Sequence, residues 1–186
     1  MPLFPAYIDL SDREVLVVGG GRVATRKVEN LLKFTRRITV VAPKVSERMR
    51  ELVKKHGLKL RRRKFLTGDL RGKDMVIVAV DDLELQRRIF KLCEKKRILC
   101  NSVDSPEFCN FIFPSLIVRG DVVIGISSSG HAPALSKRLR ELIEKALPED
   151  LEEVLETLKE ERKKGVKGEE RQRRLIELVE RLIPLE

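Results

Sequence analysis

Gly19-Gly20-Gly21-Arg22-Val23-Ala24 follows the spacing G-x-G-x-x-A. In that pattern Gly19 permits a tight turn and Gly21 lets the backbone approach a pyrophosphate. Ala24 is small enough for a helix to pack closely on a strand. The free N–H groups at the start of the next helix offer a positive dipole end to phosphates. The turn follows an apolar strand and opens a helix, which predicts a dinucleotide site rather than a structural turn. One usual part is missing. An acid at the end of the second strand would bond the ribose hydroxyls, but Val41-Ala42-Pro43-Lys44 stands there. The backbone of Ala42 and Pro43 could serve instead, and Lys44 would tolerate a 2′-phosphate. NAD and NADP are both open on these residues.

A second set of polar residues falls where strands are predicted to end. Asn101-Ser102-Val103-Asp104 leaves one strand and enters a loop. Asp104 could accept a proton; the alternative is a solvated turn aspartate before Pro106. Asp81-Asp82 is either near a ligand or a cap for the helix starting at Leu83. Ser127-Ser128-Ser129-Gly130-His131-Ala132-Pro133 precedes another helix, and its hydroxyls and backbone N–H groups make an anion-receptive turn. That helix adds Lys137, Arg138 and Arg140, and Arg119 lies upstream. His131 is either a loop histidine or an aid to proton transfer or metal contact. His56 ends a predicted helix and is expected to do no chemistry. Cys93, Cys100 and Cys109 are odd in number and lack a C-x-x-C spacing, so they read as plain thiols rather than a disulfide or zinc framework. No metal ligand set is expected.

The elements that must hold these residues are legible from apolar periodicity. Buried strands are predicted at 14–18, 37–41, 74–80 and 98–101, with a basic edge strand at 58–65. Amphipathic helices are predicted at 22–34, 45–56 and 83–96, the second stopped by Gly57. Such alternation implies an α/β fold with a mostly parallel sheet covered on both faces. After residue 110 the pattern changes. Strands at 111–118 and 122–127 are joined through Gly120-Asp121, and a helix spans 133–147 with Pro133 in its first turn. Two charged helices split near Gly165–Gly168 complete the chain. The expected domains are 1–112, a Rossmann-type sheet domain, 113–147, a small α+β region, and 148–186, a helical segment.

Composition narrows the partners. The chain has 186 residues with 39 basic and 29 acidic side chains, a formal charge of +10. Residues 148–186 hold 9 basic and 12 acidic groups, so the excess of 13 positive charges lies in residues 1–147. With one Tyr, seven Phe, no Trp and no recognised motif, nucleic acid is not expected as the partner. No apolar run reaches membrane-spanning length, and the opening MPLFPAYIDL lacks the basic start of a secretory signal. A cytoplasmic location is expected. The 37% of charged residues resembles the ion-pair-rich surface of thermophile proteins. The run Arg61-Arg62-Arg63-Lys64 reads as edge-strand charge that discourages further sheet pairing.

Taken jointly, the motifs resemble one family. They are V-V-G-G-G-x-V-A-x-R-K at Val17–Lys27, V-A-P at Val41–Pro43, A-V-D-D at Ala79–Asp82, N-S-V-D-S-P-E at Asn101–Glu107, F-I-F-P-S at Phe111–Ser115 and I-S-S-S-G-H-A-P at Ile126–Pro133. Residues 1–147 are similar to the precorrin-2 dehydrogenases, which include the N-terminal part of siroheme synthase. The resemblance implies NAD-dependent oxidation of precorrin-2 to sirohydrochlorin, a homodimer built largely through residues 113–147 and, in some relatives, insertion of ferrous iron. It implies Asp104 as the catalytic residue and cofactor contacts at Arg22, Val23, Pro43 and Lys44, beside the Gly19, Gly21 and Ala24 read from the turn itself. The substrate, a polycarboxylate tetrapyrrole, is expected at Ser127, Ser128, Ser129, His131, Lys137 and Arg138; a serine matching Ser128 is phosphorylated in some relatives. The alternative is a nucleotide-sensing Rossmann module that regulates a partner without catalysis.

Overall fold

The computed structural model describes residues 3–164 and 168–184. Two compact units meet in sequence between Phe113 and Pro114. The first is a five-stranded parallel sheet. Its strands are β1 (Val15–Val18), β2 (Ile38–Val41), β3 (Lys59–Arg61), β4 (Met75–Val78) and β5 (Leu99–Ser102), in the order β3-β2-β1-β4-β5. Helices α1 (Arg22–Leu31), α2 (Glu47–His56) and α3 (Leu83–Lys96) connect them. β1, β2 and β4 are buried along their whole lengths, which is why they read as unbroken β-branched runs. One sheet face packs Val15, Val17 and Ile77 against Ala24, Val28 and Leu31 of α1 and Met49 of α2. The opposite face packs Leu16, Val76 and Val78 against Ile89 and Cys93 of α3. The strand order reverses at β1, so the crevice above β1 and β4 is where ligands bind in such sheets.

The second unit contains an antiparallel pair, β6 (Ser115–Arg119) and β7 (Val122–Ile126), followed by α4 (Pro133–Ala146), α5 (Leu151–Lys163) and α6 (Glu169–Leu182). Ile117, Leu151 and Val154 are its most buried apolar side chains among the described residues. Lys159 of α5 pairs with Asp121 in the β6–β7 turn at 2.6 Å. Most of the split expected near Gly165–Gly168 lies outside the described residues; Gly168 immediately precedes α6.

Several boundaries differ from the sequence expectation, and for three of them the physical reason is plain. α1 stops at Leu31, because Lys33 and Phe34 donate to carbonyls only three residues back and tighten the last turn. β6 starts at Ser115 rather than 111, just after Pro114, which has no N–H to give a ladder. β3 covers only three residues of the expected 58–65. Arg63 lies beyond it and donates to the buried Asp69 at 2.7 and 2.8 Å.

That aspartate organises the end of the edge strand. It also accepts from Arg61 and from the Leu66 N–H at 2.9 Å. Hydrogen bonding from Arg63 is the main reason its carboxyl is held far below the usual range, against the opposing effect of burial. Because the folded-state value is depressed, this contribution is complete above the unfolded value of about 4 and fades as pH falls toward the folded value. Asp69→Asn should therefore lose about 2–3 kcal/mol at neutral pH, less than a fully buried pair because both arginines remain partly exposed. Denaturant unfolding at pH 7 and pH 3 checks this. The gap from the native chain should shrink in acid.

Candidate active site

The glycine turn is wedged between its neighbouring strands. Gly19 donates to Val41 O at 3.0 Å, and its φ of +127° is a conformation that glycine adopts readily. A Cβ there would lie 2.2 Å from Ala79 O. Gly20 is equally confined, since its Cβ would lie 2.3 Å from Lys44 O. Gly21 differs: a Cβ there meets nothing within 4 Å. It stands at the N-cap of α1 with no side-chain cap, and the first turn holds no acid. The N–H groups of Arg22, Val23 and Ala24 precede any possible intrahelical partner. This cradle suits a pyrophosphate. Arg22 is exposed, Val23 presents an apolar surface beside the turn, and Ala24 is fully buried.

The middle glycine was not singled out by the motif spacing, and neither was the brace beneath it. Ser46 N–H donates to Gly20 O at 2.8 Å, and Ser46 Oγ accepts from Met49 N–H and lies 3.0 Å from Thr25 Oγ1. α2 and α1 are thereby tied to the same turn. Pro43 and Lys44 are exposed at the exit of β2, with no acid beside them. Asp82 settles as a helix cap, accepting from Leu85 N–H at 3.0 Å.

Asp104 lies in the turn after β5, at the carboxyl edge of the sheet, with its side chain exposed. Its φ is +61°, a left-handed conformation that aspartate tolerates better than most residues. The turn is fixed from below. Cys109 Sγ accepts from Ser102 N–H at 3.2 Å and lies within 3.2 Å of Ser102 O. Asn101 donates to Phe111 O at 3.1 Å. Asn110 accepts from Cys100 N–H at 2.6 Å and donates to Ile98 O at 3.0 Å, so it pairs with the outer edge of β5 like a short strand. Cys93 and Cys100 are buried free thiols. Cys109 is also free, but partly exposed and in this hydrogen-bond hub; burial pushes its thiol up. Lys27, at the flank of α1, places its ammonium 4.3 Å from the Phe113 ring centroid. The sequence marks it only as the last residue of a motif, although its place one turn past the glycine turn is a signal.

The serine-rich turn belongs to the second unit. Ser128 Oγ accepts from Ala132 N–H at 3.0 Å and from Ser136 Oγ at 3.1 Å, which ties the turn to the start of α4. Ser127 Oγ accepts from Ser129 N–H at 3.0 Å, and Ser129 and Gly130 have φ of +54° and +82°. His131 is exposed, with Nδ1 3.2 Å from Ser128 O. The basic residues are not free charges. Lys137 and Arg138 pair with Glu141, and Arg119 and Arg140 pair with Glu144. The helical spacing of Lys137 to Glu141 and Arg140 to Glu144 could have announced this.

Residues 6–115 match a family described as NAD(P)-binding. The solved structure of SirC, precorrin-2 dehydrogenase, has a TM-score of 0.79 with this chain at 29% identity, covering 98% of this chain and 93% of that one. Siroheme synthase 1 of Serratia proteamaculans (strain 568) is 40% identical over 84% of this chain. This chain belongs to the precorrin-2 dehydrogenase family, with the N-terminal part of siroheme synthase. Siroheme synthase of Blochmanniella pennsylvanica (strain BPEN) is 43% identical over 81% of the chain. The chain spans about a third of the length of these curated siroheme synthases. Residues 6–115 thus form an NAD(P)-binding domain whose parallel sheet is of Rossmann type. Among the described residues no helix is long and apolar enough to cross a membrane.

Proposed function

We propose that the chain oxidises precorrin-2 to sirohydrochlorin with NAD as hydride acceptor, in the cytoplasm. The observation that carries this is Asp104, raised on a fixed turn at the same sheet edge as the open Gly21 cradle. The likeness to SirC over nearly the whole chain supports it. NAD, when bound, accepts the hydride; the protein's task is then to position the reactants. Gly19, Gly21, Arg22, Val23 and Ala24 would hold the pyrophosphate end, with Pro43 and Lys44 beside the adenosine. Asp104 would take up the proton released from the substrate, directly or through water. The Ser127–His131 turn, Lys137 and Arg138 would receive substrate carboxylates in place of some of their present ion pairs.

Anaerobic incubation with precorrin-2 and NAD tests the proposal. Stoichiometric sirohydrochlorin and NADH are expected. Binding of NAD without turnover would favour a nucleotide-sensing module instead. Iron insertion is a separable activity with ferrous iron as substrate. Among the described residues no three His, Cys, Asp or Glu side chains converge as ligands, and the ring would supply its own nitrogens. Added ferrous iron tests it by the rate over the protein-free reaction.

The functional unit is proposed to be a homodimer, with residues 113–147 as its dimerisation and substrate region and 148–186 as a helical extension. Leu135, Leu139 and Leu142 of α4 are 53%, 40% and 49% exposed at helical spacing, an apolar stripe suited to a second copy. Light scattering should give a dimer mass for the native chain and a monomer mass for Leu139→Glu.

A further inference from the structure

We propose that Lys27 is a substrate-binding residue whose ammonium receives a carboxylate of the tetrapyrrole beside Asp104; this rests on the substrate class proposed above. Lys27 sits on α1 between the buried positions Ala24 and Leu31. Side chains on a helix lean toward its N-terminus, so this lysine is directed back toward the carboxyl edge of the sheet. There its Nζ lies over the Phe113 ring at 4.3 Å.

The ring contact favours the charged form, but it leaves three N–H donors to be met. Among the described residues no hydrogen bond or ion pair meets them. Burial is the main influence lowering its pKa, with the nearby Arg26 adding to it, while Cys109 and Asp104 act in the opposite sense. A partly buried ammonium without an acceptor is costly, and an incoming carboxylate would relieve that cost. The placement also gives the site both signs of charge. Asp104 would face a group that loses a proton, and Lys27 would hold a group that keeps its negative charge. A phosphate of the cofactor is the competing anion for Lys27.

Anaerobic titration with sirohydrochlorin, read by its visible absorbance, tests the assignment alongside NAD titration. Lys27→Met keeps the length of the side chain and a sulfur contact to the ring. It should weaken sirohydrochlorin about 10- to 100-fold, with NAD affinity within about twofold. Lys27→Arg should restore most of the loss, and binding to Lys27→Met should fall less steeply with added salt than binding to the native chain. Unchanged sirohydrochlorin affinity in Lys27→Met would overturn the assignment. So would equal weakening of both ligands, or a larger loss for NAD. If Lys27→Met does not fold, Lys27→Arg and Lys27→Gln decide by the same comparison: retained tetrapyrrole affinity in Lys27→Gln overturns it. Native protein that binds NAD but no sirohydrochlorin removes the proposed function and this residue's role together. Normal native binding with an unaffected variant removes only the role of Lys27.

Discussion

Asp104→Asn should lower precorrin-2 oxidation by about 10²-fold or more, within the range expected for loss of a positioned base. NAD affinity should stay within about twofold. The separation follows from where the residue sits. Asp104 is exposed on the turn after β5, whereas the glycine cradle is built from the β1–α1 turn and braced by Ser46 and Ala79. Asparagine tolerates the left-handed backbone about as well as aspartate, so the φ of +61° gives no reason for the turn to collapse. Single-turnover rates with saturating NAD, set beside NAD titrations, measure the two quantities separately. Equal losses in both would show that Asp104 supports the fold or the cofactor rather than the chemistry. A full rate with the asparagine would assign proton removal to another group or to solvent.

The second large effect separates two adjacent glycines. Gly20→Ala places a methyl 2.3 Å from Lys44 O and 2.7 Å from a Val45 methyl. The connection between β2 and α2 must move, at a cost of about 1–3 kcal/mol, and Pro43 and Lys44 move with it. Gly21→Ala meets no neighbour within 4 Å, and alanine at an N-cap costs at most about 1 kcal/mol relative to glycine. That variant should fold nearly as well as the native chain. Its methyl group would project where the pyrophosphate has to approach, so NAD affinity should fall roughly 100-fold, consistent with the need for close backbone approach. Thermal unfolding paired with NAD titration distinguishes the two. A stable Gly20→Ala, or a Gly21→Ala that binds NAD normally, would contradict the geometry.

Much of this was readable from local pattern. The β-branched runs, the stop at Gly57 and the turn before α1 depend on neighbours a few residues away. Asp82 was readable only as a choice between a cap and a ligand contact, and the structure shows the cap through its bond to Leu85. What escaped depends on distant chain segments. The role of Gly20 is set by Lys44 and Val45, which the G-x-G spacing does not encode. Arg63 reads as a strand residue until Asp69 is seen to be buried beside it. Phe111 to Phe113 have the apolar character of a strand, yet Phe111 and Phe113 pack against the sheet core and Phe111 O accepts from Asn101. Lys137, Arg138 and Arg140 read as binding charges, yet each is paired with Glu141 or Glu144 on the same helix.

The pairing of Asn110 with both Cys100 and Ile98 bears on motion as well as geometry. The segment carrying Asp104 leaves β5 at Ser102 and is fastened to the same strand again eight residues later. It cannot swing on one hinge as a lid would, because both of its ends are anchored to one rigid element. Opening it requires breaking the Asn110 and Cys109 bonds along the strand, so its fluctuations belong to the cooperative unit of the sheet rather than to a mobile surface loop. The backbone that carries Asp104 therefore keeps its place at the edge of the sheet.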